Sequence, residues 1–326
     1  MKSKTHLHNI KKERYFNMNI YAPDYYKSFK CVADKCRHSC CIGLEIDIDE
    51  ETFDYYKNLD DDFGKKLKNN IAISDDVPHF ILSDNERCPF LNSKNLCDIF
   101  TTLGENKLCS ICTDHPRYRS FFDSRIEIGL GLCCEEACRI TLTKKSKTKL
   151  VEIDQGTTIQ TEDEDVFFAF RQTLINIVQD RTKSINERLK NLLALRNLAL
   201  PTLQISEWAK LYLGLERLDE NWTNYLNMLN DNLFVTDFSE DFEIAFEQIV
   251  VYFIYRHLSE GFYDYRINTR IKFCVLSVIM IQSLCVAYMQ KNGNLSMENL
   301  IEIARMYSSE IEYCEDNIEA LFDALH

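Results

Sequence analysis

Glycine and proline are scarce, nine and five in 326 residues. So few glycines leave little room for the Gly-rich turns that cradle nucleotide phosphates, and no G-x-G-x-x-G is present. Gly129-x-Gly131 follows strand-like residues, but no Gly-containing helix start comes after it. Positive charge is also short, with 38 Lys and Arg against 51 Asp and Glu, a net −13. Neutralising phosphates needs a basic surplus, so nucleic acid is excluded as the main partner. The opening residues have neither an apolar stretch nor a small-residue cleavage site, so no signal peptide is expected. The longest apolar run, residues 271–289, is broken by Lys272 and Gln282 and lacks flanking basic clusters. It is expected to be a buried core helix, with no membrane partner. With 45% hydrophobic and 27% charged residues, the composition is that of a folded globular protein.

Cysteine is abundant instead. There are 14, and 11 lie between Cys31 and Cys138. A cytoplasmic location is expected, where thiols stay reduced, so the density points to metal or redox chemistry rather than disulfides. The spacings are Cys31-x4-Cys36-x3-Cys40-Cys41, Cys88-x8-Cys97, Cys109-x2-Cys112 and Cys133-Cys134-x3-Cys138. These match neither paired zinc-ribbon knuckles nor ferredoxin runs, nor the C-x3-C-x2-C of radical S-adenosylmethionine enzymes. The adjacent Cys40-Cys41 pair suits a polynuclear cluster, or two sites sharing a wall. Thiolate-rich ligand sets favour zinc or iron–sulfur. The plainer reading is one or two zinc ions stapling a loop-rich domain, the other thiols being small buried hydrophobes. Cys274, Cys285 and Cys314 fall on apolar helix faces and read as core.

The chain divides into a disordered basic extension over 1–17, a cysteine-rich metal domain over 18–142, a charged linker over 143–164 and a helical bundle over 165–326. The linker joins the basic run 144–149 to the acidic run 162–165, with a short strand or hairpin over 150–159. One helix is expected over 49–69, capped by Asp47 or Asp49, and strands over 79–82 and 125–132. About seven helices are expected beyond residue 164, near 165–181, 184–199, 206–217, 220–230, 240–260, 266–291 and 296–324. Ser184, Ser206, Asp219 and Ser296 stand where caps belong. The fold class is mainly α: a small cysteine-rich domain of helices, loops and short strands, then an all-α bundle.

The run Tyr25-Tyr26-Lys27-Ser28-Phe29-Lys30-Cys31, then Cys36, Cys40-Cys41-Ile42-Gly43 and Ile46-Asp47-Ile48-Asp49, opens a series of blocks. Cys88-Pro89-Phe90-Leu91, Leu96-Cys97-Asp98-Ile99, Gly104-Glu105, Leu108-Cys109 and Cys112 follow in order. His115-Pro116-Arg117 and Leu132-Cys133-Cys134-Glu135-Glu136-Ala137-Cys138-Arg139 complete it. Over residues 18–142 this resembles the flagellin lysine-N-methylase (FliB) family, within a wider cysteine-rich group of zinc- or iron-chelating CxxCxxCC-type proteins. The helical half is similar only in all-α character and position. The resemblance implies methyl transfer from S-adenosylmethionine to lysine side chains of flagellin, with an iron–sulfur cluster, 4Fe–4S favoured over zinc. The ligand candidates it implies are Cys31, Cys36, Cys40, Cys41, Cys88, Cys97, Cys109, Cys112 and Cys134. The family often has Trp where this chain has Leu44, and Ser and Pro where it has Cys133 and Glu135. On that pattern Cys133 and Cys138 stand outside the ligand set. Nine thiolates exceed one four-iron cluster, so some are structural or there are two metal sites.

Methylating a lysine requires a neutral amine, in line with the methyl, and a held donor. With no Gly-rich loop, an open iron site chelating the donor's amino and carboxylate groups is one solution; a purely structural cluster is the other. His115 is a ligand, a base or a satisfied loop histidine. Arg117 clamps the donor's carboxylate, or pairs with Asp114 or Glu135. Asp49 receives the lysine or caps a helix, and Tyr25 and Tyr26 wall a donor pocket or belong to the core. Rival readings are a non-catalytic zinc- or iron-binding protein and a cluster-dependent enzyme modifying another peptide. The oligomeric state is not legible.

Overall fold

A computed structural model describes residues 18–43, 45–233 and 237–326. The stretch 1–17, expected to be a disordered extension, and Leu44 lie outside the described residues. The chain forms two units, one of Lys30–Arg117 with Cys134–Glu136, the other of residues through Phe29, Tyr118–Cys133 and Ala137–His326. This redraws the expected boundaries. Both flanks of the region 18–142 belong with the helices, because their strands share one sheet.

The first strand, β1 (Asn19–Pro23), lies in the helical unit. The cysteine-rich unit begins its helices with α1 (Glu50–Lys57) and α2 (Asp62–Asn69), where a single helix was expected. The break has a local cause. Asp61 accepts the Gly64 N–H at 2.7 Å and caps α2. A side chain at Gly64 would stand 2.2 Å from the Leu59 carbonyl oxygen, so the close reversal requires glycine. A hairpin follows, β2 (Ile71–Ser74) against β3 (Val77–Phe80), turned by Asp75 and Asp76 at φ 49° and 65°. Both positive angles suit a primed two-residue turn. Short helices α3 (Asp98–Leu103) and α4 (Ser110–Asp114) complete the unit. Its core is small, with Ile46, Ile48, Tyr56, Phe80, Phe90 and Ile99 at the centre.

β4 (Arg117–Phe121), β5 (Arg125–Leu130), α5 (Glu135–Leu142) and β6 (Leu150–Asp154) precede the bundle in the helical unit, apart from Arg117, Glu135 and Glu136, which fall in the cysteine-rich unit. The sheet order is β4-β5-β1-β6, with β1 parallel to β5 and antiparallel to β6. The bundle comprises α6 (Glu162–Val178), α7 (Ile185–Ala194), α8 (Ile205–Leu213), α9 (Glu220–Leu226) and α10 (Glu240–Phe253). It continues through α11 (Gly261–Asp264), α12 (Ile267–Asn292), α13 (Met297–Tyr307) and α14 (Glu315–Ala324). Ser184, Asp219 and Ser296 cap as expected. Ser206 does not: the cap of α8 is Gln204, two residues earlier, and Ser206 binds Asp231 instead. Helix α12 is long and apolar enough to cross a membrane, yet 78% of that apolar window is buried inside the protein. Cys274 and Cys285 are core residues within it, whereas Cys314 is partly exposed at the start of α14, 3.5 Å from Glu216.

Strand β5 falls within the strand expected over 125–132, and all six of its residues are buried. Its polar face is covered because Glu127 meets Arg171 twice, at 2.6 and 2.7 Å, and Arg125 at 2.5 Å. Removing the carboxylate strands two buried guanidinium groups. Glu127→Leu is therefore expected to cost about 3–5 kcal/mol in urea unfolding, and Arg171→Leu less, since Arg125 still holds Glu127.

Two π turns, Ile254–Leu258 and Ser308–Glu312, extend α10 and α13 and carry a second buried network. Glu312 lies 2.5 Å from His257 Nε2, 2.9 Å from the Tyr252 hydroxyl and 3.2 Å from Arg256 Nε. Burial holds His257 below the usual imidazole range despite the carboxylate. Burial disfavours the charge on Glu312, but Arg256 and then His257 hold it below the usual carboxylate range. Neutral imidazole thus donates to an ionised carboxylate. Because the folded histidine resists a proton that the unfolded one accepts near pH ~6.5, stability is complete above that pH and falls as pH drops below it. Denaturation midpoints measured from pH 7 to 5 should fall accordingly, and His257→Gln should remove up to ~1.4 kcal/mol per pH unit of that slope.

Candidate functional site

Five thiols assemble on the small core. The Cys88 N–H donates to the Cys41 carbonyl at 2.8 Å, joining the first cysteine loop to the third block. A bridge between Leu91 and Cys97 closes the loop from Cys88 to Cys97. Arg87 stitches that loop from inside, donating to the Leu91 carbonyl at 3.3 Å and the Asn92 carbonyl at 2.8 Å. Cys97 precedes α3, and Cys109 precedes α4 with Cys112 one turn on, so the last two share a helix face. Cys88 and Cys109 are buried, and Cys41, Cys97 and Cys112 pack against them. Tyr56, fully buried, donates to the Lys107 carbonyl at 2.6 Å and stands 3.9 Å from Cys109 Sγ.

Four thiols gather elsewhere in the same unit. Cys31 and Cys40 are exposed, and Cys36 and Cys134 half-buried. Glu135 holds the two segments together: it accepts from the Arg37 backbone N–H and Nε, both at 2.8 Å, and from the His38 N–H at 3.3 Å. This carboxylate, considered from sequence only as a partner for Arg117, pairs with Arg37. No disulfide links any of the fourteen cysteines.

The thiols differ in acidity. In the hydrogen-bonded Cys40–Cys41 pair, the bond from Cys40, with help from Ser39 and Arg87 and against burial, draws Cys41 below the ordinary thiol range. Burial, reinforced by Cys134, pushes Cys36 up to about 12; burial also pushes Cys88 up to about 12. As the side chains stand, no three His, Cys, Asp or Glu groups among the described residues close on one ion.

The remaining candidates divide. Asp49 is occupied: Oδ1 caps α1 through the Thr52 N–H at 3.1 Å, and Oδ2 accepts the Ser110 N–H at 2.7 Å at the start of α4. Burial works against its charge, but those hydrogen bonds hold it below the ordinary carboxylate range. Arg117 donates to the Thr113 carbonyl at 3.1 Å. His115 Nε2 is buried with no hydrogen-bond partner among the described residues. The satisfied loop histidine is therefore not what the structure holds at that nitrogen. Tyr25 is buried in the helical unit, where burial pushes its hydroxyl above the usual phenol range despite a hydrogen bond with Thr141. Tyr26 opens a 3-10 turn beside it, so the tyrosines fall in one unit and Asp49, His115 and Arg117 in the other. Gly129 makes room for the Tyr118 ring, which a side chain would meet at 2.2 Å.

The family model of the FliB lysine N-methylase C-terminal domain matches residues 190–326. Lysine-N-methylase of Salmonella typhimurium strain LT2 is 25% identical over 167 residues, 49% of this chain and 41% of the relative. The chain is thus similar to FliB lysine N-methylases over part of its length. Lysine-N-methylase of Salmonella choleraesuis aligns to the same extent, and flagellar biosynthetic protein FliU of Salmonella muenchen is 26% identical over 125 residues, 36% of this chain and 74% of that one. The match thus spans well under half the length of the two lysine-N-methylases. No solved structure matches the chain. The match in the helical half corrects the expectation that this half is similar to the family only in all-α character and position.

Sequence reasoning missed Glu135 as a clamp, Arg87 as a loop stitch and Tyr56 as a thiol neighbour. Arg87 stands immediately before Cys88, which is a signal of a kind; the partners of Glu135 lie about a hundred residues away. Glu135→Ala should raise the rate at which a disulfide reagent reaches Cys36 and Cys134 in the metal-free chain by ~5-fold, equivalent to ~1 kcal/mol of local anchoring. An unchanged rate would show that the clamp does not hold the loop.

Proposed function

We propose that this chain methylates lysine side chains of flagellin in the cytoplasm, taking the methyl group from S-adenosylmethionine and using a cysteine-ligated iron–sulfur cluster. The observation that carries the reading is the FliB C-terminal domain match over residues 190–326, together with relatives named lysine-N-methylase. The flagellar name of a third relative supports flagellin as the substrate class.

The chemistry of the donors is that of an iron–sulfur or zinc site. All nine candidate ligands are thiols, soft donors suited to iron–sulfur or zinc, and they sit in one unit. Buried His115 Nε2 adds an unpartnered imidazole nitrogen in that unit. The cluster would supply a thiophilic iron surface beside which the donor's amino and carboxylate groups can be held. The chain's own contribution is to keep that surface in an apolar setting, where a neighbouring lysine loses its proton more readily. Methyl transfer then breaks the sulfonium S–C bond and forms the N–C bond, leaving S-adenosylhomocysteine and one proton.

The test is anaerobic protein reconstituted with iron and sulfide, then incubated with flagellin and isotopically labelled S-adenosylmethionine. Label on flagellin lysines, located by peptide mass spectrometry, is the expected result. Loss of that label in Cys88→Ser would tie it to the thiols. Iron uptake with neither donor binding nor labelled lysine would overturn the proposal and leave a non-catalytic metal protein. Label on another peptide but not on flagellin would overturn the substrate assignment.

A further inference from the structure

The nine thiols outnumber the ligands of a single cluster, and the structure separates them. Cys41, Cys88, Cys97, Cys109 and Cys112 share one apolar core with Tyr56, Phe80 and Phe90. Cys31, Cys36, Cys40 and Cys134 have no place in that core. They lie on the loop before Cys41 and at the foot of α5, drawn together by Glu135 through the backbone of Arg37 and His38. Electrostatic neighbours follow the same division. Cys134 and Cys31 act on Cys36 and on Cys40, whereas Cys41, Cys97 and Cys109 act on Cys88. The two groups meet at the hydrogen-bonded Cys40–Cys41 pair. Cys41 packs against the core and Cys40 does not, so the double cysteine marks the seam between the two sets.

We propose that these thiols serve two separate metal centres, one held by Cys31, Cys36, Cys40 and Cys134 and the other by Cys41, Cys88, Cys97, Cys109 and Cys112, with the Cys40–Cys41 peptide as their common wall. The division rests on the thiol-metal reading above and extends it. The first set offers four sulfurs, three on one loop and Cys134 just before α5, the donor number and type of a tetrahedral zinc ion. The second offers more thiols than one ion uses, in apolar surroundings that suit an iron–sulfur cluster. Closing either centre requires the thiols to turn toward a common point, and the loop carrying Cys31, Cys36 and Cys40 is free of the core that would resist this. Cys133 and Cys138, outside both sets, belong to the helical unit, where Cys138 Sγ donates to the Ile301 carbonyl at 3.5 Å.

The experiment compares the full chain with Cys31→Ser/Cys36→Ser and Cys97→Ser/Cys112→Ser, each purified anaerobically and loaded with iron, sulfide and zinc. Metal and sulfide contents are measured, with X-ray absorption at the zinc and iron edges. The wild type should hold one zinc with sulfur neighbours, besides cluster iron and sulfide. The first variant should lose at least ~10-fold in zinc affinity yet keep the iron, sulfide and visible spectrum; the second should do the reverse. Circular dichroism monitors folding. Should a variant misfold, a chelator titration of the wild type decides instead: zinc should leave before the iron spectrum changes. Joint loss of both metals in both folded variants, or in the titration, would overturn the two-centre assignment, as would a wild type that binds no metal beyond the cluster. Two centres without methylated lysine would sink the methylase reading and leave this one standing; one centre with methylation would do the opposite.

Discussion

The cysteine-rich unit is closed by one carboxylate. Glu135 takes three hydrogen bonds from two consecutive residues, Arg37 and His38, and so carries Cys134 to a loop almost a hundred residues earlier in the chain. The ion pair by itself counts for little, since the Arg37 side chain is half-exposed and water screens it. The two backbone N–H groups matter more, because they fix the direction of the loop and not merely its proximity. Glu135 is also the first residue of α5, where a negative charge meets the positive end of the helix dipole. The same group therefore starts a helix and gathers thiols.

The two units are stabilised in different ways. The helical unit has a large hydrocarbon core, with Phe246, Phe253, Phe273, Tyr307 and Phe322 fully buried. That core accommodates the Glu127–Arg171 and Glu312–His257 networks because each charge there is met by a partner. The cysteine-rich unit has short helices and few wholly buried aromatics, among them Tyr56 and Phe90. A core of that size is marginal without cross-links or metals. On the proposed function, folding and metal loading would be one equilibrium in this unit, as ligand thiols must lose protons and be ordered together.

Much of this was legible in the residues. The caps at Ser184, Asp219 and Ser296 are local chemistry, and the apolar periodicity of α12 needs no tertiary information. The break between α1 and α2 was missed because apolar spacing runs through it, whereas the deciding contact is the Gly64 backbone against the Leu59 carbonyl. The π turns after α10 and α13 were missed for a similar reason: one extra residue per turn hardly alters the pattern, but it brings Glu312 onto His257. The domain boundary was misplaced because β1 and β5 pair in parallel across about a hundred residues, a relation no local signal carries. At the site, the cysteine blocks were evident, but their division was not. Spacing shows which thiols are near in sequence, not which pack against the core: Cys41 does and its neighbour Cys40 does not.

The fate of the non-cysteine candidates bears on the chemistry. Both Asp49 oxygens are used to start helices, and Arg117 donates to a loop carbonyl. Tyr25 is buried in the other unit. Side chains that would serve a conventional methyl-transfer pocket are thus engaged in folding. Sulfur dominates the ligand inventory of the cysteine-rich unit, with one buried imidazole nitrogen beside it. A methyl donor bearing an amino and a carboxylate group needs a partner that takes both at once. On the proposed function, iron held by thiolates would do so where a Gly-rich loop is missing, and the scarcity of glycine and the abundance of cysteine would then have one cause.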